Sequence, residues 1–415
     1  MKVGASFQSF GFSKDVPLAG YVTRKERKAT HFLDDVGVRA LAIKNDQCEA
    51  VICSMDLLVI SHELSSAIIS KVHDKTDKNL VVILHATHTH SSVGGYWNHK
   101  IARFFMGGFR QDLFDKIVDV AVHAAVDARE DLELCKADIG TGIVYGMNES
   151  RRIPDDSVDN TVTVARFDTI SGKPKAAFIS FSAHPVIAAE KDFYAISSDF
   201  PGEVCSQLET TIPVVAFLQG AVGGVSPAWP DHIKNPKEHI KFMADPLVEK
   251  ILEVYHNLDP QKDLTFDCGA LSIDKPPAGA EPFPKAWKVA PLLFSPIVKM
   301  WDMFFNDQYA DREVSAFGIR LGDTAILGFP ADLGDKLSRD INRRAQEMGY
   351  SRCTCLSQTG DYIGYVHREQ DIDALPPKGH RGMFLYENFM GFHGRLAGDR
   401  FVDASLSLLR QMMPK

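Results

Sequence analysis

Leu80-Val81-Val82-Ile83-Leu84 runs without a break into His85-Ala86-Thr87-His88-Thr89-His90, and the change of character at residue 85 sets the reading of the chain. A short, continuous apolar run rich in β-branched residues fits a strand buried on both faces. Beyond it the residues turn small and polar, as where a strand opens onto a surface. The pattern returns three times. Ala176 to Phe181 runs into Ser182-Ala183-His184-Pro185, Pro213 to Leu218 into the glycine-rich Gln219 to Gly224, and Ala325 to Phe329 into Pro330-Ala331-Asp332.

Helical stretches lie between these runs. Leu113, Ile117, Val120, Ala121 and Ala124 recur at helical spacing within 112–127, and 200–208 and 333–348 follow their strands in the same way. Strands alternating with helices predict an α/β fold, here a mixed β-sheet core with flanking helices. In open α/β sheets ligands bind beyond the carboxyl ends of the strands. The chemically interesting residues sit at those ends in four separate places, which predicts one composite site.

The stretch 259–311 breaks the pattern. It holds Pro276, Pro277, Pro282, Pro284, Pro291 and Pro296, then a nearly uncharged run from Val289 to Ile297 leading to Trp301 and Phe304-Phe305. This predicts a first lobe over about 1–260, an insertion or lid over about 261–312, and a second lobe over about 313–415. The apolar run 289–305 is either a core helix with its loop or an apolar wall for a greasy substrate, with scope for peripheral contact with a membrane.

Composition narrows the function. With 45% apolar and 24% charged residues the chain is an ordinary globular enzyme by composition. A net charge of -8 and the lack of any long basic block argue against nucleic acid. The seven cysteines are scattered without metal-binding spacing and read as small buried apolar residues, Cys353 and Cys355 included. No secretion leader and no bilayer-spanning run is visible, so a cytoplasmic enzyme is expected. Oligomeric state is not legible.

His88 and His90, two apart on an extended segment, project to one side. Imidazole is the commonest transition-metal ligand, and zinc takes it readily. His184, pinned by Pro185, is a plausible third imidazole. Taken alone, a satisfied core histidine explains many such pairs. The flank Gly94-Gly95-Tyr96 sharpens the metal reading, because glycine lets backbone approach a ligand. Gln219 to Pro227 is either an oxyanion cradle, with exposed amides and the Ser226 hydroxyl, or a tight turn. Asp332 could ligate a metal or cap the helix beginning near Leu333. Tyr362, Tyr365 and Tyr386 lie in a turn-rich stretch with Glu369 and Glu387.

In order and kind these motifs resemble the neutral (non-lysosomal) ceramidase family. The carrying residues are Ala86-Thr87-His88-Thr89-His90-Ser91 with Gly94-Gly95-Tyr96, then His184-Pro185, Ser197-Ser198-Asp199, Val225-Ser226-Pro227, Tyr362 to Tyr365, and Tyr386-Glu387. The resemblance implies hydrolysis of an N-acyl amide of a small-molecule or lipid-like substrate at a single zinc ion. It implies His88, His184 and Tyr365 as ligands, with Asp332 standing where the family has a glutamate. It implies that His90 and Tyr386 meet the scissile amide, and that the family's arginine corresponds to Arg151 or Arg152. It implies no more than a positioning hydroxyl at Ser226, because Gly224 stands where the family usually has an aspartate. A C-terminal immunoglobulin-like domain and a secretion signal are expected to be missing. Two other readings stand beside this one: a zinc hydrolase of an ester, lactone or sugar derivative, and an inactive binding relative.

Overall fold

On the strand Gly37–Lys44, Val38, Ala40 and Ala42 point to one side, and Leu41 and Ile43 to the other. Both sets are buried, which is why the sequence shows continuous apolar runs in place of alternation. The computed structural model describes residues 1–413 apart from 24–25, 101, 280–282, 286, 288–294, 297–298, 300–312 and 380.

The main sheet has eight strands in the spatial order Val215–Gln219, Pro174–Phe181, Thr161–Thr169, Glu133–Ile143, Lys2–Ser9, Gly37–Lys44, Glu49–Met55 and Val81–Ala86. Its inner pairs are antiparallel and its outermost pair on each side is parallel. The two ends curl towards each other. Ser54 Oγ donates to the Phe217 carbonyl at 2.5 Å, and the Gln219 amide donates to Nε2 of His85 at 2.6 Å. A second sheet of four strands, Phe266–Ile273, Val314–Leu321, Thr324–Gly328 and Arg352–Leu356, also ends in a parallel pair.

An apolar layer containing Leu41, Ile52, Phe178, Leu218, Ile319 and Ile326 lies between the two sheets. The helix Gln111–Glu130 covers the outer face of Lys2–Ser9 and Gly37–Lys44, and the helices Asp199–Leu208 and Pro236–Asn257 cover the other half of the large sheet. Asp335–Glu347 and Ala397–Gln411 back the small sheet. At roughly 25 cal/mol per Å² of apolar surface, this layering supplies the main stabilisation. Cys353 and Cys355 belong to the core, and all seven cysteines are free.

Phe266–Ile273 falls within the stretch expected as an insertion, yet it is paired along its whole length with Val314–Leu321 and so belongs to the small sheet. One apolar cluster runs from Phe10 through Ala128 to Val314 and Leu409 and so draws on both expected lobes. The apolar run 289–305 lies almost wholly outside the described residues. Among the described residues no helix is long and apolar enough to cross a membrane.

This topology positions the site. Five strands that take part in parallel pairs, Val81–Ala86, Pro174–Phe181, Val215–Gln219, Thr324–Gly328 and Arg352–Leu356, release their chains into one region. Isolated bridges His85 to Thr359 and Gly220 to Leu356 stitch the two sheets together there.

Candidate metal centre

His85 ends its strand as a structural residue. Its Nε2 accepts the Gln219 amide, its Nδ1 faces Thr359 Oγ1 at 3.1 Å, and burial drives its pKa down to about 3. Three residues on, the backbone of His88 adopts φ +68°, a left-handed conformation rare for a residue with a Cβ. It is fixed by the His88 amide on the Leu57 carbonyl and by Thr87 Oγ1 on Asp56. Thr89 Oγ1 donates to the Ser197 carbonyl at 2.8 Å, so the Ser197-Ser198-Asp199 stretch buttresses the histidine segment from behind.

The centre is the convergence of His88, His90 and His184, whose inward ring nitrogens all lie within 4.8 Å of one another. Each ring has its Nδ1 against a backbone carbonyl: His88 on Leu58 at 2.7 Å, His90 on Gly20 at 3.1 Å, His184 on Val225 at 2.9 Å. A carbonyl only accepts, so Nδ1 carries the proton and each Nε2 lone pair faces the shared space. Such partners fix tautomer and orientation at metal-binding histidines. Burial holds all three imidazoles below their ordinary pKa, and therefore neutral, as a ligand must be.

Oxygen donors complete the wall. Asp332 and Tyr365 stand opposite each other in a short parallel pair, Asp332–Leu333 with Tyr365–Val366. Asp332 Oδ1 lies 3.3 Å from His88 Nε2 and accepts from Gln358 Nε2 at 2.6 Å, while Oδ2 accepts from the Tyr362 hydroxyl at 2.8 Å. Asp332 is not a helix cap: the helix starts at Asp335 behind Gly334, without a side-chain cap. The Tyr365 hydroxyl is 3.4 Å from His184 Nε2. Burial pushes the Asp332 carboxyl up, and His88 and the Tyr362 hydroxyl pull it back.

Arg151 and Arg152, adjacent in sequence, diverge in space. Arg151 Nη2 donates to the Tyr365 hydroxyl at 2.7 Å and lies 3.1 Å from His184 Nε2. Arg152 points away, onto Glu387 Oε2, His367 Nε2, Asn388 Oδ1 and the Asp371 carbonyl, with distances of 2.9 to 3.0 Å. Glu387 joins the two. It is fully buried, takes Arg151 Nε at 2.6 Å on its other oxygen, and accepts the Gly224 amide at 3.1 Å. Burial works against this carboxylate, but Arg151, His367 and Arg152 outweigh it and hold the pKa well below the ordinary range.

Five amides of the glycine loop are already engaged within the protein. The amides of Gly220, Val222, Gly223, Gly224 and Val225 are taken by Phe181, Ser357, Leu333, Glu387 and Val222. A Cβ on Gly223 would meet the Asp332 carbonyl oxygen at 2.9 Å, so the loop serves as a close-packed support. Ser226 sits in the strand Val225–Pro227 opposite Glu149, and among the described residues no hydrogen bond links its hydroxyl to the histidines. Tyr386 is 46% exposed, its ring 6.1 Å from that of Tyr365, at the mouth of the site. Sequence reading gave no role to Gln358, Glu387 or His367. Gln358, at φ +53°, carries no signal in its neighbours, whereas the Tyr386-Glu387 pair did mark its second member.

The donor set, three neutral imidazoles with one carboxylate and one phenol beside them, fits a zinc ion. Its one cationic occupant is the Arg151 nitrogen at His184, which would have to yield that lone pair to a metal.

Residues 3–234 match the family model described as neutral/alkaline non-lysosomal ceramidase, N-terminal. Neutral ceramidase B of Dictyostelium discoideum is 25% identical over 264 residues, 54% of this chain and 35% of that protein. Neutral ceramidase A of the same organism is 26% identical over 253 residues, 54% of this chain and 34% of its own. The aligned stretches thus span about a third of the length of these relatives. The crystal structure of neutral ceramidase from Pseudomonas aeruginosa superposes on all of this chain and 75% of its own, with a TM-score of 0.81 at 18% identity. The fold is the same, and the family match takes in the strands that deliver all three histidines and the glycine loop. By that match, covering more than half its length, the chain belongs to the neutral/alkaline non-lysosomal ceramidase family.

Proposed function

We propose that this protein is a zinc-dependent hydrolase that cleaves an N-acyl amide. The observation carrying the proposal is that three imidazoles aim Nε2 into one space with every Nδ1 tied to a backbone carbonyl, beside a buried carboxylate. Ceramide is an N-acyl amide, and the relatives are named as ceramidases.

His88, His184, Tyr365 and Asp332 would hold the ion. When bound, zinc supplies a Lewis acid and a nucleophilic water at neutral pH. Hydrolysis adds water across the carbonyl carbon–nitrogen bond, and negative charge gathers on the carbonyl oxygen before the amine leaves. Arg151 and Tyr386 are the donors placed to meet that charge. What favours Arg151 over Arg152 is that its guanidinium reaches His184 and Tyr365, whereas Arg152 is consumed by Glu387, His367 and Asn388. His90, with Nδ1 donating to Gly20, can only accept at Nε2, which suits it to take a proton from water and pass it to the departing nitrogen.

The test pairs elemental analysis of protein purified without chelator with a panel of N-acyl amides, esters and lactones of graded acyl length. Stoichiometric zinc, and amide cleavage that is lost on chelation and restored by zinc, are expected. Bound zinc with turnover confined to esters or lactones would overturn the amide reading.

A further inference from the structure

Beside His90 lies a cavity of about 500 Å³, walled by residues that include Leu18, Tyr21, Arg27, Lys100, Arg103 and Phe104. Tyr21 forms the partition: its ring meets the His90 ring edge-on at 5.5 Å. Arg27 is the unusual member. It is 3% exposed, and its guanidinium lies 4.4 Å from the Phe193 ring and 5.5 Å from the Tyr21 ring. Its bonds go to neutral carbonyls only: Nη1 to Ala19 at 3.0 Å and to His90 at 2.9 Å, Nε to Phe193. Among the described residues Nη2, which is shielded from solvent, has no hydrogen-bond partner, and no carboxylate pairs with this arginine.

A guanidinium taken out of water without an anion is costly, and proteins normally supply the counterion. The surroundings here supply more positive charge. Lys100 and Arg103 are exposed on the same cavity, and neither has an acidic partner among the described residues. Glu26, the acid in the wall, is already engaged by the Gly108 amide at 2.9 Å and by Lys28 at 3.5 Å. Glu190 receives the Tyr21 hydroxyl and is the carboxylate whose charge reaches Arg27, with no hydrogen bond between the two among the described residues. In a chain of net charge -8, this is a cationic cavity that the Tyr21 ring separates from His90.

We propose that this cavity is the subsite for an oxyanion carried by the substrate, a carboxylate or phosphate, with Arg27 as the buried contact and Lys100 and Arg103 guiding entry. Arg27 binds the carbonyl of the same residue whose ring faces the reaction, so the anion sits close to the scissile bond. The substrate class is then an N-acyl amide bearing an anionic group near the amide, such as an N-acyl amino acid or an N-acylated amino-alcohol phosphate. This inference rests on the amide-hydrolase reading and narrows it.

The test uses matched pairs on the zinc-loaded full chain: N-lauroylglycine against N-lauroylglycinamide, and N-lauroylethanolamine phosphate against N-lauroylethanolamine. Hydrolysis gives kcat/KM ratios within each pair, and calorimetry gives binding ratios whether or not turnover occurs. At least one anionic member should lead its neutral partner by roughly tenfold or more, the scale of a hydrogen bond to a charged group. The lead should shrink in the Lys100→Ala/Arg103→Ala double variant and on raising salt. Arg27→Met should remove it, and the surface double variant decides the matter if Arg27→Met does not fold. Equal binding and turnover within both pairs, or a lead that the double variant leaves untouched, would overturn the subsite. An anionic lead in binding without cleavage of any amide would instead overturn the amide reading and leave the subsite standing. The pair that shows the lead identifies carboxylate or phosphate.

Discussion

Nη2 of Arg151 stands 3.1 Å from Nε2 of His184, covering the one ring nitrogen that the Val225 carbonyl leaves open. The same nitrogen donates to Tyr365 at 2.7 Å. A cation thus rests against two of the groups proposed as ligands, and Glu387 fixes the arm that holds it. A metal would compete with the guanidinium for the His184 lone pair, while a substrate carbonyl would offer the arginine a new partner.

Replacement of Arg151 by alanine is therefore expected to separate binding from catalysis. Removing a positive charge beside a cation site strengthens zinc binding, while the loss of an oxyanion donor lowers turnover by roughly 10²–10³. Glu387 keeps Arg152 and His367 but loses its strongest partner, so a lower denaturant midpoint should accompany the change, and kcat is read on the folded fraction. A chelator-competition titration and kcat on the same preparation check this. Zinc loss in parallel with activity would show that Arg151 supports the metal.

His88 and His90 make the sharpest pair. Their Nε2 atoms are 3.4 Å apart, and geometry alone groups both with His184. The expectation is that His88→Ala loses zinc and activity together, while His90→Ala keeps zinc and loses turnover. If His90→Ala also emptied the site, His90 would be a ligand and the proton-transfer role would need another residue.

The strands were legible because burial on both faces writes itself as an unbroken apolar run, as in Ala176 to Phe181. The helix Gln111–Glu130 was legible from its apolar stripe. Phe266–Ile273 was not, since at the edge of the small sheet only its two end residues are buried and the unbroken apolar run is lost. His88 and His184 could be picked out because they come directly after such runs. Arg27 and Gln358 could not, since what marks them is a missing partner and a positive φ, and neither is written in a sequence.

Gly20 offers a way to move His90 without altering it. Its φ of +116° is a region that side chains rarely adopt, and an added Cβ would lie 2.8 Å from His90 Cβ and 2.9 Å from its Nδ1. Gly20→Ala should displace the ring and cost roughly 10²-fold in turnover, the scale of an ångström-sized misplacement. Zinc content should hold, since neither His88 nor His184 leans on Gly20. Retention of full activity would place His90 outside the reaction.

Arg152 should behave as a structural residue despite its neighbour. Arg152→Met leaves the buried Glu387 with less compensation and removes one donor from Asn388 Oδ1, a change that typically costs about 3–5 kcal/mol. A lower denaturant midpoint at unchanged slope is the expected signature, with kcat on the remaining folded protein little altered.

The aspartate at 332 carries the last prediction. Both oxygens are pinned, Oδ1 by Gln358 and Oδ2 by Tyr362, and its carbonyl oxygen lies too near Gly223 for that residue to bear a side chain. Those two donors aim a short arm at His88 Nε2, 3.3 Å away. Tyr362→Phe and Gln358→Leu should each weaken zinc binding by roughly 10–100-fold, as loss of a partner that orients a ligand usually does. Asp332→Glu, which restores the arm length that the resemblance implies, should not compensate, because the longer arm must enter space already filled by Gln358 and Tyr362. Zinc dissociation constants for the three variants decide it, and an Asp332→Glu protein that binds more tightly than the parent would mean the carboxylate is held too far back.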